Sequence, residues 1–97
     1  MTPTLVAWAD HDHMWVRRVA ILSQLKAKEH TDTALLRATI EPNLGDREFF
    51  IRKGIGWALR EYSKTDPVWV QDFVETHADR ISPLSRKEAL KVIARGR

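Results

Sequence analysis

Apolar residues recur at helical spacing along most of the chain, and nowhere do they alternate as a half-buried strand requires. The clearest case is Glu48 to Asp66, EFFIRKGIGWALREYSKTD. At about 100° per residue, Ile51, Ile55, Ala58, Leu59 and Tyr62 gather on one face, which predicts a helix with a core-facing stripe. Lys53, Trp57, Arg60 and Lys64 share a different face, cationic with one indole in it. Gly54 and Gly56 each cost roughly 1 kcal/mol against Ala inside a helix, so they predict close backbone approach by a neighbour.

The flanking pattern predicts further helices. Thr2 to Ala9, TPTLVAWA, reads as the tail of a preceding helix and implies an open stacking surface at the N-terminal edge. Asp10 and Asp12 offer N-caps for a helix from Met14 to Lys28, with Trp15, Val19, Leu22 and Leu25 as its buried stripe. Arg18 lies beside that stripe, and Arg17, Gln24 and Lys28 point away from it. Thr31 or Asp32 opens a second helix that ends near Pro42, before the turn Asn43-Leu44-Gly45-Asp46. Asp66 as N-cap and Pro67 at the first helical position start VWVQDFVETH, with Val70, Phe73 and Val74 inward and Trp69 on the edge. After a loop from Ala78 to Leu84, Ser85-Arg86-Lys87-Glu88 has the S-x-x-E form of a capping box and opens a last helix to about Ala94. The expected fold is all-α, with about five helices.

Paired basic residues stand near the starts of the first, third and fifth of these helices. They are Arg17-Arg18, Arg52-Lys53 and Arg86-Lys87, at offsets of 35 and 34, and WVRR aligns with FIRK residue by residue. That period suits helix pairs stacked as HEAT-like repeats in a short curved solenoid, every second helix lining the concave surface. On this reading the chain is one domain over 1–97, with 1–12 as the tail of a preceding repeat and 13–97 as the matching repeats.

Composition narrows the function classes. With 43% hydrophobic and 30% charged residues in 97, a small folded domain is expected and wholesale disorder is not. The absence of cysteine excludes disulfides, thiolate zinc sites and cysteine nucleophiles. No apolar run approaches the length of about 20 residues that spans a membrane, and the N-terminus does not begin a signal peptide, so a cytoplasmic protein is expected. The net charge of +3 is unevenly spread: residues 1–48 carry six Lys/Arg against seven Asp/Glu, and 49–97 carry ten against six. A basic second half is the footprint of a polyanion-binding face.

Lys53, Arg60 and Lys64 at this spacing can neutralise successive phosphates, and Trp57 between them can pack on a sugar or attract a cationic base through its ring face. The competing reading is a solvated basic stripe with Trp57 wedged between helices. His11-Asp12-His13, with His30 and His77 elsewhere, defines no coordination geometry, so no metal site is assigned.

The runs WVRRVAILSQLKAK, FFIRKGIGWALREYSKTDP and LSRKEALK, in that order across Trp15 to Lys91, together resemble the C-terminal half of the AlkD-type DNA alkylation repair proteins. That resemblance implies a curved stack of HEAT-like repeats that cradles duplex DNA. It also implies a relationship to glycosylases that release positively charged alkylated purines without a metal or organic cofactor. By the same resemblance, Trp57 falls on an aromatic residue lining the lesion-facing cleft, Arg60 on a phosphate-contacting arginine, and Arg18 on an arginine that touches the backbone near the lesion. For Arg18 the alternative is an ion pair with Asp46 or Glu48. The family's complete domain is more than twice this length, and its catalytic Asp and a partner Trp come from an earlier repeat. WADHDHMW aligns with a linker, so Asp12 is read as a helix cap, and Trp8, Trp15 and Trp69 as packing. No catalytic residue is assigned, and turnover by these residues alone is not expected. The expected partner is duplex DNA, intact, alkylated or abasic, bound through Arg18, Lys53, Trp57, Arg60 and Lys64. The alternatives are a helical-repeat scaffold for protein partners, self-association through the open N-terminal edge, and an inactive remnant.

Overall fold

Three polar side chains each turn an oxygen onto the backbone N–H three residues ahead, and a helix starts at each. Asp32 accepts from Leu35 at 3.1 Å, Asp66 from Trp69 at 3.0 Å and Ser82 from Ser85 at 3.1 Å. The structure, a computed structural model, describes the backbone of residues 2–95 and the side chains of 4–94. Its α-helices run in the order α1 Thr2–Ala9, α2 Met14–Ile21, α3 Thr33–Ile40, α4 Phe49–Ser63, α5 Pro67–Thr76, α6 Pro83–Ala89 and α7 Lys91–Arg95. Short 3-10 turns at Lys28–His30 and Glu41–Asn43 flank α3. Among the described residues every regular element is helical.

The longest helix, α4, is the centre of the packing. It lies against α2, α5 and α6, while α1 packs on α2 and α3. Ile51, Ile55, Ala58 and Leu59 are buried, joined in one core by Ile21, Leu36, Ile40, Leu44, Val70, Phe73 and Val74. Tyr62 is half-buried against it and meets Trp69 edge to face at 5.4 Å, while Trp69 stacks on Phe73 at 5.2 Å. Two polar ties join distant elements. Ser85 donates from Oγ to the carbonyl of Arg52 at 2.7 Å, holding α6 on α4. Asn43 donates from Nδ2 to the carbonyls of Ala9 and Thr39 at 2.8 and 2.9 Å, holding the end of α1 on α3.

Several boundaries differ from the sequence reading. The first long helix stops at Ile21 rather than Lys28. Ser23 bonds back to the carbonyl of Ala20, Gln24 clasps Asp32 through both its amide groups, and Lys28 takes φ of 51°. Its cap is His13, whose Nδ1 accepts from the N–H of Trp15 at 3.3 Å, and not Asp10 or Asp12. Its buried stripe is also rotated: Ala20 and Ile21 are inside, Leu22 and Leu25 are half-buried, and Trp15 and Val19 stand 48% and 53% exposed. At the other end, Ser82 with Pro83 starts α6 three residues before the S-x-x-E signal, and Glu88 reaches α4 instead of its own helix start. Among the described residues there are seven α-helices where about five were expected, because TPTLVAWA is itself a helix and the last helix is broken at Leu90.

Candidate nucleic-acid interface

Around α4, Phe50, Trp57 and Lys64 follow at spacings of seven and run down one face, with Lys53 and Arg60 beside them. Trp57 is 38% exposed rather than wedged between helices. Helices α2 and α6 border this face on opposite sides, and each delivers one charged residue to it.

From α2 comes Arg18. Its stem passes over Gly54, where a Cβ would meet Arg18 Cγ at 3.5 Å. Its Nε donates to the carbonyl of Phe50 at 3.2 Å, and its guanidinium lies 6.0 Å from the centre of the Trp15 ring. Trp15 in turn leans on Phe50 at 5.2 Å. Arg18 makes no ion pair with Asp46 or Glu48. Asp46 is taken by Arg17 at 2.7 Å, which also donates to the carbonyls of His11 and Asp12, so Arg17 is pinned inward rather than pointing away. In two of the basic pairs the second member, Arg18 or Lys53, reaches this face.

From α6 comes Glu88, which sequence reasoning assigned to a capping box. One carboxylate oxygen accepts from Lys53 Nζ at 3.0 Å and the other lies 3.5 Å from Arg60 Nη1. The Glu88 side chain is only 13% exposed. The hydrogen bond from Lys53 is the main force holding it below the usual carboxylate range; burial opposes this, and the charges of Lys53, Lys91 and Arg60 assist. Gly56 makes the approach possible: a Cβ there would sit 2.6 Å from Glu88 Cβ and 3.2 Å from the carbonyl of Ser85. Lys64 pairs with Glu61 at 2.9 Å. The stripe that the spacing presented as three free cations is therefore partly neutralised by Glu61 and Glu88. The signal for Glu88 was available only indirectly, in the glycine that demands a close neighbour.

A second surface lies where α1 meets α2. Trp8, His11, His13, Trp15, Val16 and Val19 line an almost wholly apolar groove of about 640 Å³. Trp8 and Trp15 thus sit at an open edge, while Trp69, partly buried, packs against the core. Among the described residues, no group of three or more His, Cys, Asp or Glu is placed to hold a metal ion. His77 is buried, with its ring nitrogens 2.9 Å from the carbonyl of Phe73 and 2.8 Å from Glu41. Among the described residues no helix is long and apolar enough to cross a membrane.

The sequence model of a family described as DNA alkylation repair enzyme matches residues 1–93. The chain belongs to that family. Among solved structures, it is similar to a predicted DNA alkylation repair enzyme from Enterococcus faecalis, 41% identical, with a TM-score of 0.88. The match covers 96% of this chain and 43% of that one, so the chain spans less than half of its neighbour's length. No curated protein matches. In this member of the DNA alkylation repair family, the three runs that carried the resemblance lie on α2 and the turns after it, on α4, and on α6 with the start of α7, with α4 packed against α2, α6 and α7.

Proposed function

We propose that this chain is a duplex-DNA-binding module of a DNA alkylation repair protein, with the face around Trp57 turned to the nucleic acid. The observation that carries the reading is the exposed indole between Lys53 and Arg60, with Arg18 reaching the same helix from the other side. Lys53, Arg60, Lys64 and Arg18 bind phosphates, and Trp57 offers a ring face to a sugar or to a cationic alkylated purine. Glu88 is the internal counter-anion of the site: it holds Lys53 and Arg60 beside Trp57 until a phosphate takes its place. It does not substitute for a catalytic carboxylate, because both of its oxygens already face cations and its field at a developing sugar cation is cancelled. Excision of alkylated purines, the reaction that the family resemblance implies, thus calls for a carboxylate from outside these residues.

Titration of fluorescent duplexes, one intact and one with an abasic-site analogue, tests the reading. Trp57→Ala is expected to lower affinity for the abasic duplex about tenfold and for the intact duplex much less, in line with the value of aromatic stacking on nucleic acid. An equal loss on both contradicts a lesion-facing role.

The apolar groove favours a second reading, self-association of two copies through the α1–α2 edge. Apart from His11 and His13 its lining is uncharged, so two such surfaces can meet without like-charge repulsion. Trp15→Glu is expected to abolish any dimer seen by light scattering. A wild-type protein that stays monomeric at high concentration rejects this reading.

A further inference from the structure

A third surface of the molecule concentrates arginine around a single carboxylate. Arg47, Arg52 and Arg80 line one open pocket of about 320 Å³ together with Leu44, Gly45, Asp46 and Ser82. Its single carboxylate is already committed. Asp46 gives one oxygen to Arg17 at 2.7 Å and the other to the N–H of Glu48 at 2.8 Å. Among the described residues none of the three arginines has a carboxylate within ion-pair distance. Arg80 is fixed at the rim by donating to the carbonyl of Glu41 at 3.1 Å. Arg52 has its Nε enclosed with no hydrogen-bond partner at all.

Three guanidinium groups gathered in one pocket repel each other, and an enclosed N–H donor without an acceptor loses its hydration for nothing. Both costs disappear if an anion with several acceptor oxygens sits there. Guanidinium forks match phosphate oxygens bidentately, and a phosphate group carries enough acceptor oxygens to meet several guanidiniums at once. Arg52 stands five residues before Trp57 on α4, about 140° round the helix, so the pocket is separate from the Trp57 face.

We infer that Arg47, Arg52 and Arg80 form a phosphate-binding site, apart from the Trp57 face and independent of its role. The phosphate comes either from a small soluble molecule or from the backbone of a polynucleotide that passes this side.

The test is NMR observation of the arginine Nε–Hε signals of the whole chain, during titration with inorganic phosphate at an ionic strength held constant with sodium chloride. The expected result is a saturable shift of the Arg52 signal at millimolar phosphate. Arg47→Gln and Arg80→Gln, both at exposed positions, should each weaken this binding about tenfold, the size of one lost charge-assisted contact. Lys26→Ala, an exposed position outside the pocket, should leave it unchanged. Parallel titrations with deoxyadenosine monophosphate and with a short duplex separate the sources. A shift by the duplex at concentrations well below those needed for phosphate assigns the site to a polynucleotide backbone, and a shift by the small anions alone assigns it to a soluble phosphate. Absence of a saturable shift with all three, or an equal response to chloride, overturns the proposal. Failure of the Trp57 face to bind DNA leaves the phosphate titration unaffected.

Discussion

Two glycines one turn-fraction apart on α4 make opposite demands. A Cβ at Gly54 finds ordinary contact with Arg18, so Gly54→Ala should stabilise the protein by about 0.5–1 kcal/mol through helix propensity. A Cβ at Gly56 collides with Glu88 Cβ at 2.6 Å, so Gly56→Ala should destabilise by about 1–3 kcal/mol as α6 is pushed off. Urea denaturation of both variants checks the pair, and shifts of the same sign contradict the packing described. Glu88 is the residue that this contact delivers. Glu88→Gln removes the charge that partly neutralises Lys53 and Arg60, so duplex affinity at low salt should rise on the order of tenfold, the scale of a charge interaction across a few ångströms at a surface. Weaker binding by this variant would mean that the carboxylate mainly organises the cations. Acid should erase the carboxylate's contribution to stability. Its folded pKa is lowered, so the stabilisation is complete above the ordinary glutamate value of about 4.3 and is lost as pH falls through the folded value. Wild type and Glu88→Gln should therefore differ in stability at pH 7 and converge as the pH falls through the lowered folded value.

At the scale of elements, the central helix was legible because its apolar stripe is long and its period is regular. Asp32, Asp66 and Pro67 likewise marked helix starts that the structure keeps. What was not legible has a common physical origin in tertiary packing. Ser85-x-x-Glu88 has a capping-box spacing, but the hydroxyl of Ser85 is drawn to the carbonyl of Arg52 and Glu88 is drawn to Lys53, so Ser82 takes the cap. The early end of α2 depends on Gln24 clasping Asp32 eight residues away, which no local propensity encodes. Trp15 and Val19 obey helical spacing on the wrong side of α2: the apolar stripe is real, but it faces the open groove rather than the core. The last element to be placed, α1, depends on Asn43. Asn43→Ala leaves the buried carbonyl of Ala9 without its donor, at about 1–3 kcal/mol, and should speed amide exchange in α1 more than in α4. Unchanged exchange in α1 would show that its packing against α2 and α3 suffices without that tie.

For the whole molecule, five of the second half's ten basic residues, Arg52, Lys53, Arg60, Lys64 and Arg80, gather in two places on or beside α4. One is the face bearing Trp57, partly neutralised by Glu61 and Glu88, and the other is the arginine pocket beside Asp46. On the proposed reading a phosphate displaces Glu88 from Lys53 and Arg60, so binding at the first face would be electrostatic in origin and sensitive to salt. The apolar edge of α1 and α2 adjoins the first surface at Trp15 but is lined by no Lys, Arg, Asp or Glu, so association through it would respond little to salt. The measurement that decides most directly is the affinity for a short duplex across a range of salt concentrations, for wild type, Lys53→Ala and Arg60→Ala. Binding that weakens steeply with salt, with the slope reduced by about 0.9 in each variant, is the predicted result. Salt-insensitive binding, or slopes that neither substitution changes, contradicts the assignment of this face to DNA.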